Sequence, residues 1–115
     1  MKNLLKFSLA LILMLTLFGC KKEATIEITA IDGAGNKLAN HEVYLFINST
    51  NYENGPGNEL SKKTTNSEGV VIFSGLKEAN YYAACYFTNQ LNQIVRSGGN
   101  VEGIGGHSTK LTIKP

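Results

Sequence analysis

Short segments in which apolar and polar residues alternate recur along most of the chain, separated by turns rich in Gly and Asn. Residues 25–31 alternate most cleanly, with Ile26 and Ile28 on one face and polar side chains on the other. A period of two places successive side chains on opposite faces of a strand, and the 3.6-residue period of an amphipathic helix is missing after residue 24. The pattern predicts an all-β sandwich or barrel.

The same pattern predicts the order of strands and loops. We expect strands over residues 25–31, 41–48, 61–65, 70–73, 81–89, 93–97 and 109–114, with 61–65 a short strand at a sheet edge. Residues 49–60 are rich in Gly, Pro and Asn and predict a long surface loop. Gly98, Gly99 and Asn100 predict a turn, and residues 103–107 predict a flexible or bulged segment.

The N-terminus has the pattern of a secretory signal peptide. A short cationic region that ends at Lys6 precedes an apolar run over residues 7–18, interrupted only by Ser8 and Thr16. A membrane-spanning helix needs about 20 consecutive apolar residues, so this run is too short for a permanent span.

The end of that run, Leu17, Phe18, Gly19 and Cys20, resembles the lipobox of bacterial lipoproteins. The resemblance implies that residues 1–19 are a signal peptide and that Cys20 becomes N-terminal and acylated, which gives a stable membrane anchor. It also implies an outer-membrane destination, in the periplasmic leaflet or at the cell surface. The alternative is an ordinary signal peptide that is cut elsewhere, with Cys20 incidental. We expect residues 20–24 to form a tether and residues 25–115 to form one β-sandwich domain.

Removal of the signal peptide changes the charge of the chain. The full sequence carries 11 Lys plus Arg and 9 Asp plus Glu, and Lys2 and Lys6 leave with residues 1–19, so a neutral chain of 96 residues remains. A neutral domain without a cationic cluster lacks the electrostatic surface that binds nucleic acid. We therefore expect no nucleic-acid partner, and a domain of this size excludes a multidomain enzyme.

With Cys20 acylated, Cys85 is the remaining cysteine, and no intramolecular disulfide can form. Cys85 lies in an apolar strand-like run without a neighbouring His, Lys or Arg, so we expect it to pack in the core.

The turns and strands together resemble a known group of folds. The segments that carry the resemblance are residues 25–31, 32–39, 43–45, 65–69 and 71–73, the Gly75-Leu76 pair and Tyr81. They are similar to the transthyretin-like, or prealbumin-like, β-sandwiches, which include carboxypeptidase regulatory-like domains and the B-type repeats of collagen adhesins. The resemblance implies an antiparallel Greek-key sandwich of seven strands or so, with Tyr81, Ala83, Cys85 and Phe87 in the core.

Two activities of such folds do not fit these residues. The hydroxyisourate hydrolases end in Tyr-Arg-Gly-Ser, which residues 109–115 lack. Adhesin repeats often carry an isopeptide bond from a Lys on the first strand, where this chain has Thr25, Glu27 and Thr29, so we expect no such crosslink. Phosphate-cradling loops and nucleophile elbows are also missing from the sequence, which predicts that the protein is not an enzyme.

Aromatic residues are expected on the outer face of two strands. If Val43, Leu45 and Ile47 face the core, the residues that alternate with them point to the outer face of the sheet, and several of those are aromatic. The predicted outward residues are Tyr44, Phe46, Tyr82 and Tyr86. They form a candidate binding face for a sugar or a protein, unless they pair across strands or lie beneath the 49–60 loop.

Metal ligands are a weaker hypothesis. The oxygen-bearing residues that could bind calcium are Asp32, Asn36, Asn51, Glu53, Asn54, Asn58 and Glu59. Their spacing matches no known calcium loop, and Asp and Asn in turns usually bond the local backbone. His41 and His107 could at most form a zinc pair. We expect no cofactor, with calcium the open alternative.

The sequence thus predicts an envelope lipoprotein that presents a non-catalytic β-sandwich for interaction or structure. The expected partners are the lipid bilayer, through acylated Cys20, and a protein or glycan, with a homodimer as a further option. A carbohydrate-binding accessory lipoprotein is the alternative, and an enzyme of unknown class is a weaker one.

Overall fold

The strand that alternates most cleanly in the sequence, β1, lies at the centre of the smaller of two sheets. The computed structural model describes residues 22–115, so the signal-peptide pattern and Cys20 lie outside the described residues. The strands are β1 (Ala24–Ala30), β2 (Glu42–Phe46), β3 (Ser61–Thr64), β4 (Val70–Leu76), β5 (Ala79–Thr88), β6 (Ile94–Gly103) and β7 (Ser108–Ile113). A short helix, α1 (Ser49–Asn54), connects β2 and β3.

The strands form a two-sheet sandwich, which confirms the predicted all-β fold. The three-stranded sheet has the order β4-β1-β7, and the four-stranded sheet has the order β3-β2-β5-β6. The predicted edge position of β3 is confirmed. Most neighbouring strands are antiparallel, but β1 and β7 run parallel from the Thr25–Ser108 pair to the Ala30–Ile113 pair. This pair is the one departure, within residues 22–115, from the predicted antiparallel arrangement.

The sandwich has two ends. We call the end at which Ala24 begins β1 the entry end, and it also holds the starts of β5 and β7 and the loop between β6 and β7. The opposite end, which carries the β5–β6 turn at residues 89–93, is the distal end.

The core between the sheets is formed by the strand side chains that point toward the facing sheet. Ile26 and Ile28 of β1 are fully buried, as their alternation predicts. The inward residues of the facing sheet are buried too: Val43, Leu45, Tyr81, Ala83 and Cys85. Phe87 is half-buried and packs against this core. Burial of each large apolar side chain contributes roughly 1.5–3 kcal/mol to folding.

Three local predictions are wrong: an irregular loop over residues 49–60, burial of Ile47, and a turn at residues 98–100. Residues 49–60 contain α1, which begins after Asn48, whose side-chain oxygen accepts a hydrogen bond from the Asn51 N–H at 2.8 Å. Gly55 ends the helix with φ 81°. Ile47 follows the end of β2 and is half exposed rather than buried.

The predicted turn at residues 98–100 is strand. Gly98 and Gly99 lie inside β6, opposite Ala84 and Ala83 of β5. Gly98 has φ 138°, and a Cβ atom there would overlap the Ala83 carbonyl oxygen. Glycine is required because the two backbones approach closely, not because the chain reverses.

Within residues 22–115, no helix combines the length and the apolar character needed to cross a bilayer.

Candidate functional site

The predicted outward aromatic residues lie together on the outer face of the four-stranded sheet, joined there by a fifth ring from α1. We call this group the aromatic cluster: Tyr44, Phe46, Tyr52, Tyr82 and Tyr86. The Tyr44 and Tyr86 rings meet edge to face with centroids 5.2 Å apart, and Tyr52 lies 5.8 Å from Phe46 and 5.4 Å from Tyr82. Cross-strand register explains the grouping, since Tyr82 pairs with Phe46 and Ala84 pairs with Tyr44.

Much of this cluster is covered by the chain itself. Phe46 is fully buried, and Tyr44, Tyr82 and Tyr86 are half-buried. Phe46 does occupy the outward phase, but Tyr52 of α1 covers it. Of the two alternatives that the sequence left open for Phe46, exposure on a binding face or burial beneath residues 49–60, the structure has burial. The cluster forms a small second core between α1 and the sheet.

Arg96 of β6 holds α1 on this face. Its guanidinium carbon lies 4.0 Å from the Tyr52 ring centroid, and its Nη1 donates a hydrogen bond to the Tyr52 carbonyl oxygen at 3.0 Å. Its Nη2 lies 3.4 Å from the Glu53 carboxylate. A six-residue helix is unstable alone, so these tertiary contacts keep α1 in place.

The hydroxyl groups of the cluster differ in their surroundings. The Tyr44 hydroxyl donates to Glu42 Oε2 at 2.8 Å, and this bond, with burial and the Glu42 charge, raises the pKa of Tyr44 to about 12. The Tyr86 hydroxyl is buried and has no hydrogen-bond partner among the described residues. Burial raises the pKa of Tyr86, against the lowering effect of the Arg96 charge.

A second candidate surface lies at the distal end. Leu91, Ile94 and Val95 are 78%, 75% and 45% exposed, and we call these three residues the distal tip. Leu91 lies on the β5–β6 turn, which is held by Asn89: its Oδ1 accepts hydrogen bonds from the N–H groups of Leu91 and Gln93 at 3.0 and 2.9 Å. Ile94 and Val95 begin β6 directly after this turn.

A shallow cavity of about 550 Å³ adjoins the distal tip. Its apolar wall includes Leu38, Phe87 and Val95, and the His41 ring stacks on Phe87 with centroids 4.9 Å apart. The distal end therefore combines exposed aliphatic side chains with a concave apolar surface, a combination found at protein-binding sites.

The candidate catalytic and metal-binding residues are not brought together. Cys85 is fully buried, as predicted, and burial raises the pKa of its thiol to about 12, which disfavours the reactive thiolate. His41 lies at the distal end and His107 at the entry end, so they cannot share a zinc ion.

The calcium hypothesis has no assembled site among residues 22–115. There, no three His, Cys, Asp or Glu side chains come close enough to hold a metal ion. Asp32 accepts hydrogen bonds from the N–H groups of Ala34 and Asn36 and from the Asn36 side chain. The Asn36 bonds, the largest cause, lower the pKa of Asp32. The remaining residues belong to one segment, with Asn51, Glu53 and Asn54 in α1 and Asn58 and Glu59 after it.

Several residues of these surfaces were not predicted. Tyr52 and Arg96 were missed because they are 44 positions apart and meet only through the fold. The distal tip was also missed. Ile94 and Val95 are consecutive apolar residues, and successive side chains of a strand point to opposite faces of the sheet, so one of the two must face away from the core.

Comparison with known proteins supports the fold. No protein-family model matches the chain, and no curated protein matches it. Among solved structures, the chain is similar to the major pilin subunit of Bacillus cereus, with 24% identity and a TM-score of 0.51 over 81% of this chain and 29% of that one. A minor pilin of Streptococcus agalactiae shares 16% identity with a TM-score of 0.54, over 82% of this chain and 44% of that one.

A Pseudomonas aeruginosa protein, described as a candidate carbohydrate-binding protein, shares 14% identity with a TM-score of 0.50. That match covers 85% of this chain and 94% of the other. The chain thus spans less than half the length of the two pilins it resembles. The neighbours are bacterial β-sandwich domains, in agreement with the expected prealbumin-like fold.

Proposed function

We propose that the protein is a lipid-anchored envelope protein whose β-sandwich binds another protein through the distal tip. Leu91 carries the proposal, because it is 78% exposed on a turn in which Asn89 accepts two backbone hydrogen bonds. A large aliphatic side chain on a well-ordered turn gains about 1.5–3 kcal/mol when a partner covers it. The pilin neighbours support a non-catalytic module at the bacterial surface.

The anchor is proposed from the lipobox pattern that ends at Cys20. It can be tested by growing cells that express the full chain with an alkynyl fatty acid and measuring incorporation into the protein. We expect labelling of the natural chain and of a Cys85→Ser control, and loss of labelling in Cys20→Ser. Equal labelling of Cys20→Ser and the natural chain would contradict the anchor.

The tip is tested by a photo-crosslinking amino acid placed at residue 91 of the full chain in the source bacterium. We expect crosslinks to one discrete protein, lost when Ile94 is also changed to Ser. The matched control is residue 72, because Ile72 is an apolar side chain 50% exposed on the other sheet. The same crosslinks from position 72, or none from position 91, would contradict a binding role for the tip. A crosslink between two copies of the chain would identify a homodimer.

Carbohydrate binding is the second candidate, because the aromatic cluster combines half-buried rings with a Tyr86 hydroxyl that has no hydrogen-bond partner among residues 22–115. Sugars stack on exposed rings, and here α1 covers Phe46, so the geometry favours the protein partner. A glycan array probed with residues 22–115 tests this alternative. Binding that Tyr82→Ala and Tyr86→Ala remove, but that Leu91→Ser leaves unchanged, would favour the glycan.

A further inference from the structure

The first described residues are bound to the folded domain rather than free of it. The Gly106 N–H donates to the Glu23 carbonyl oxygen at 2.9 Å, and the Thr25 N–H donates to the His107 carbonyl oxygen at 3.1 Å. A Cβ atom on Gly105 would lie 2.8 Å from the Lys22 carbonyl oxygen. The loop between β6 and β7 is glycine-rich because the entering chain lies directly on it.

Covalent geometry then limits the distance between Cys20 and the domain. Cys20 is two residues before Lys22, and a fully extended chain spans at most about 3.3–3.6 Å per residue. The Cα atom of Cys20 is therefore no more than about 7 Å from that of Lys22, which is itself seated on the domain. An acyl chain on Cys20 that enters a bilayer brings the entry end to the bilayer surface.

The entry end has a surface suited to phospholipid headgroups. It holds a cavity of about 810 Å³, whose charged lining residues are Lys22, Glu23, Lys77 and Glu78. None of these four forms an ion pair within the described part of the chain. Glu78 instead accepts a hydrogen bond from the Gly105 N–H at 3.2 Å. Two cations beside two anions match the phosphate and ammonium groups of a zwitterionic headgroup.

We infer that the entry end binds the phosphatidylethanolamine headgroup layer of the leaflet that holds the anchor. This inference rests on the proposed acylation of Cys20. The lysines meet headgroup phosphates and the glutamates meet headgroup ammonium groups. The strands then stand away from the bilayer, and the ten residues of β5 place the distal tip roughly 30 Å farther out at about 3.3 Å per residue.

The test places one fluorophore at either end of the full acylated chain. Lys77→Cys labels the entry end and Gln90→Cys labels the distal turn; both positions are exposed. Cys85 stays unlabelled because it is buried and its thiol pKa is raised to about 12. The protein is reconstituted in phosphatidylethanolamine–phosphatidylglycerol vesicles that contain a lipid with a nitroxide quencher on its headgroup. We expect at least threefold stronger quenching at position 77 than at position 90.

A matched control lengthens the connection. Insertion of 12 Gly and Ser residues between Lys21 and Lys22 should lower the quenching at position 77 if covalent tethering alone holds the entry end at the bilayer. Because the inference assigns headgroup contacts to the entry end, we expect most of the quenching to be retained after the insertion and to be lost on Lys22→Glu. Loss of the quenching on insertion alone would overturn the inference. Equal quenching at positions 77 and 90 in the chain without the insertion would overturn the inference.

Mass spectrometry of the reconstituted chain separates the two proposals. A Cys20 without acyl groups removes the proposed anchor and the inference with it. An acylated Cys20 with equal quenching at both labels leaves the anchor intact and refutes only the bound entry end.

Discussion

The guanidinium group of Arg96 lies over the ring of Tyr52 and donates a hydrogen bond to the carbonyl oxygen of the same residue, 44 positions away in the chain. One side chain of the edge strand β6 thus engages both the backbone and the side chain of α1. The cover over Phe46 depends on this contact as well as on the packing of Tyr52.

Arg96→Ala should release α1 from the sheet. We expect a loss of about 1–2 kcal/mol from the free energy of unfolding, because a partly desolvated cation–π contact and a charged hydrogen bond are both removed. Hydrogen exchange of the α1 amides should accelerate as the helix detaches. Lys37→Ala is the control, because its ion pair with Glu68 is exposed and should contribute less than about 1 kcal/mol. Unchanged exchange in α1 would show that Tyr52 packing alone holds the helix.

Two tyrosines of β5, the buried Tyr81 and the half-buried Tyr86, should respond differently to loss of the hydroxyl group. Tyr86→Phe removes a buried hydroxyl that has no partner in the described part of the chain, so we expect unchanged or increased stability, by up to about 1 kcal/mol. Tyr81→Phe removes the hydrogen bond from the Tyr81 hydroxyl to the Lys77 carbonyl oxygen, and we expect a loss of about 1 kcal/mol. Chemical denaturation measures both. A loss in Tyr86→Phe as large as that in Tyr81→Phe would reveal a water or ligand bound to the Tyr86 hydroxyl.

Stability should fall at alkaline pH in part because of Cys85. Burial raises the pKa of this thiol from 9.0 to about 12, so between these values the unfolded chain loses a proton that the folded chain keeps. The folded state then holds more protons, and the free energy of unfolding decreases as pH rises, by at most about 1.4 kcal/mol per pH unit from this group.

The comparison with Cys85→Ala isolates that contribution. Tyrosines also titrate in this range, but they are common to both proteins, so their effect cancels in the difference. We expect the stability advantage of the natural chain over Cys85→Ala to shrink between pH 9 and 12. A constant advantage across that interval would mean that the thiol does not titrate as its burial implies.

Gly98 should tolerate no side chain. A Cβ atom there would overlap the Ala83 carbonyl oxygen, and φ of 138° is unfavourable for other residues. We expect Gly98→Ala to lower the free energy of unfolding by more than about 3 kcal/mol. Gly33→Ala is the matched control, because no described residue other than its two chain neighbours comes within 4 Å of a Cβ atom at that position. Thermal unfolding of both variants measures the difference, and similar melting temperatures would contradict the close approach of β5 and β6.

The features of the fold that were predicted correctly are those that the alternation of apolar and polar residues within one strand determines. The alternation of Ile26 and Ile28 identifies a half-buried strand. The inward set of Tyr81, Ala83 and Cys85 follows from period-two alternation once the resemblance to prealbumin-like folds supplies the phase of β5. These predictions succeeded because each residue's environment depends mainly on its position along its own strand.

The other parts depend on distant contacts. The polar sequence of α1 carries no apolar stripe, and the helix forms because Asn48 caps it and Arg96 holds it. Gly98 and Gly99 resemble a turn in sequence, since a glycine needed for close approach cannot be distinguished from one needed for chain reversal until β5 is in place. Tyr44 and Tyr82 were correctly placed on the outer face, but their partial burial depends on α1.

The parallel pairing of β1 and β7 determines how the domain responds to a pulling force. Lys22 leads into β1 at the entry end, whereas β7 finishes at Ile113 beside Ala30, at the distal end. A pulling force applied at Lys22 and at Ile113 therefore acts along both strands. The hydrogen bonds between them are loaded together in shear, rather than broken one after another as in a hairpin opened from its end. A protein fixed at Cys20 and pulled at Ile113 would resist that load with its whole β1–β7 ladder.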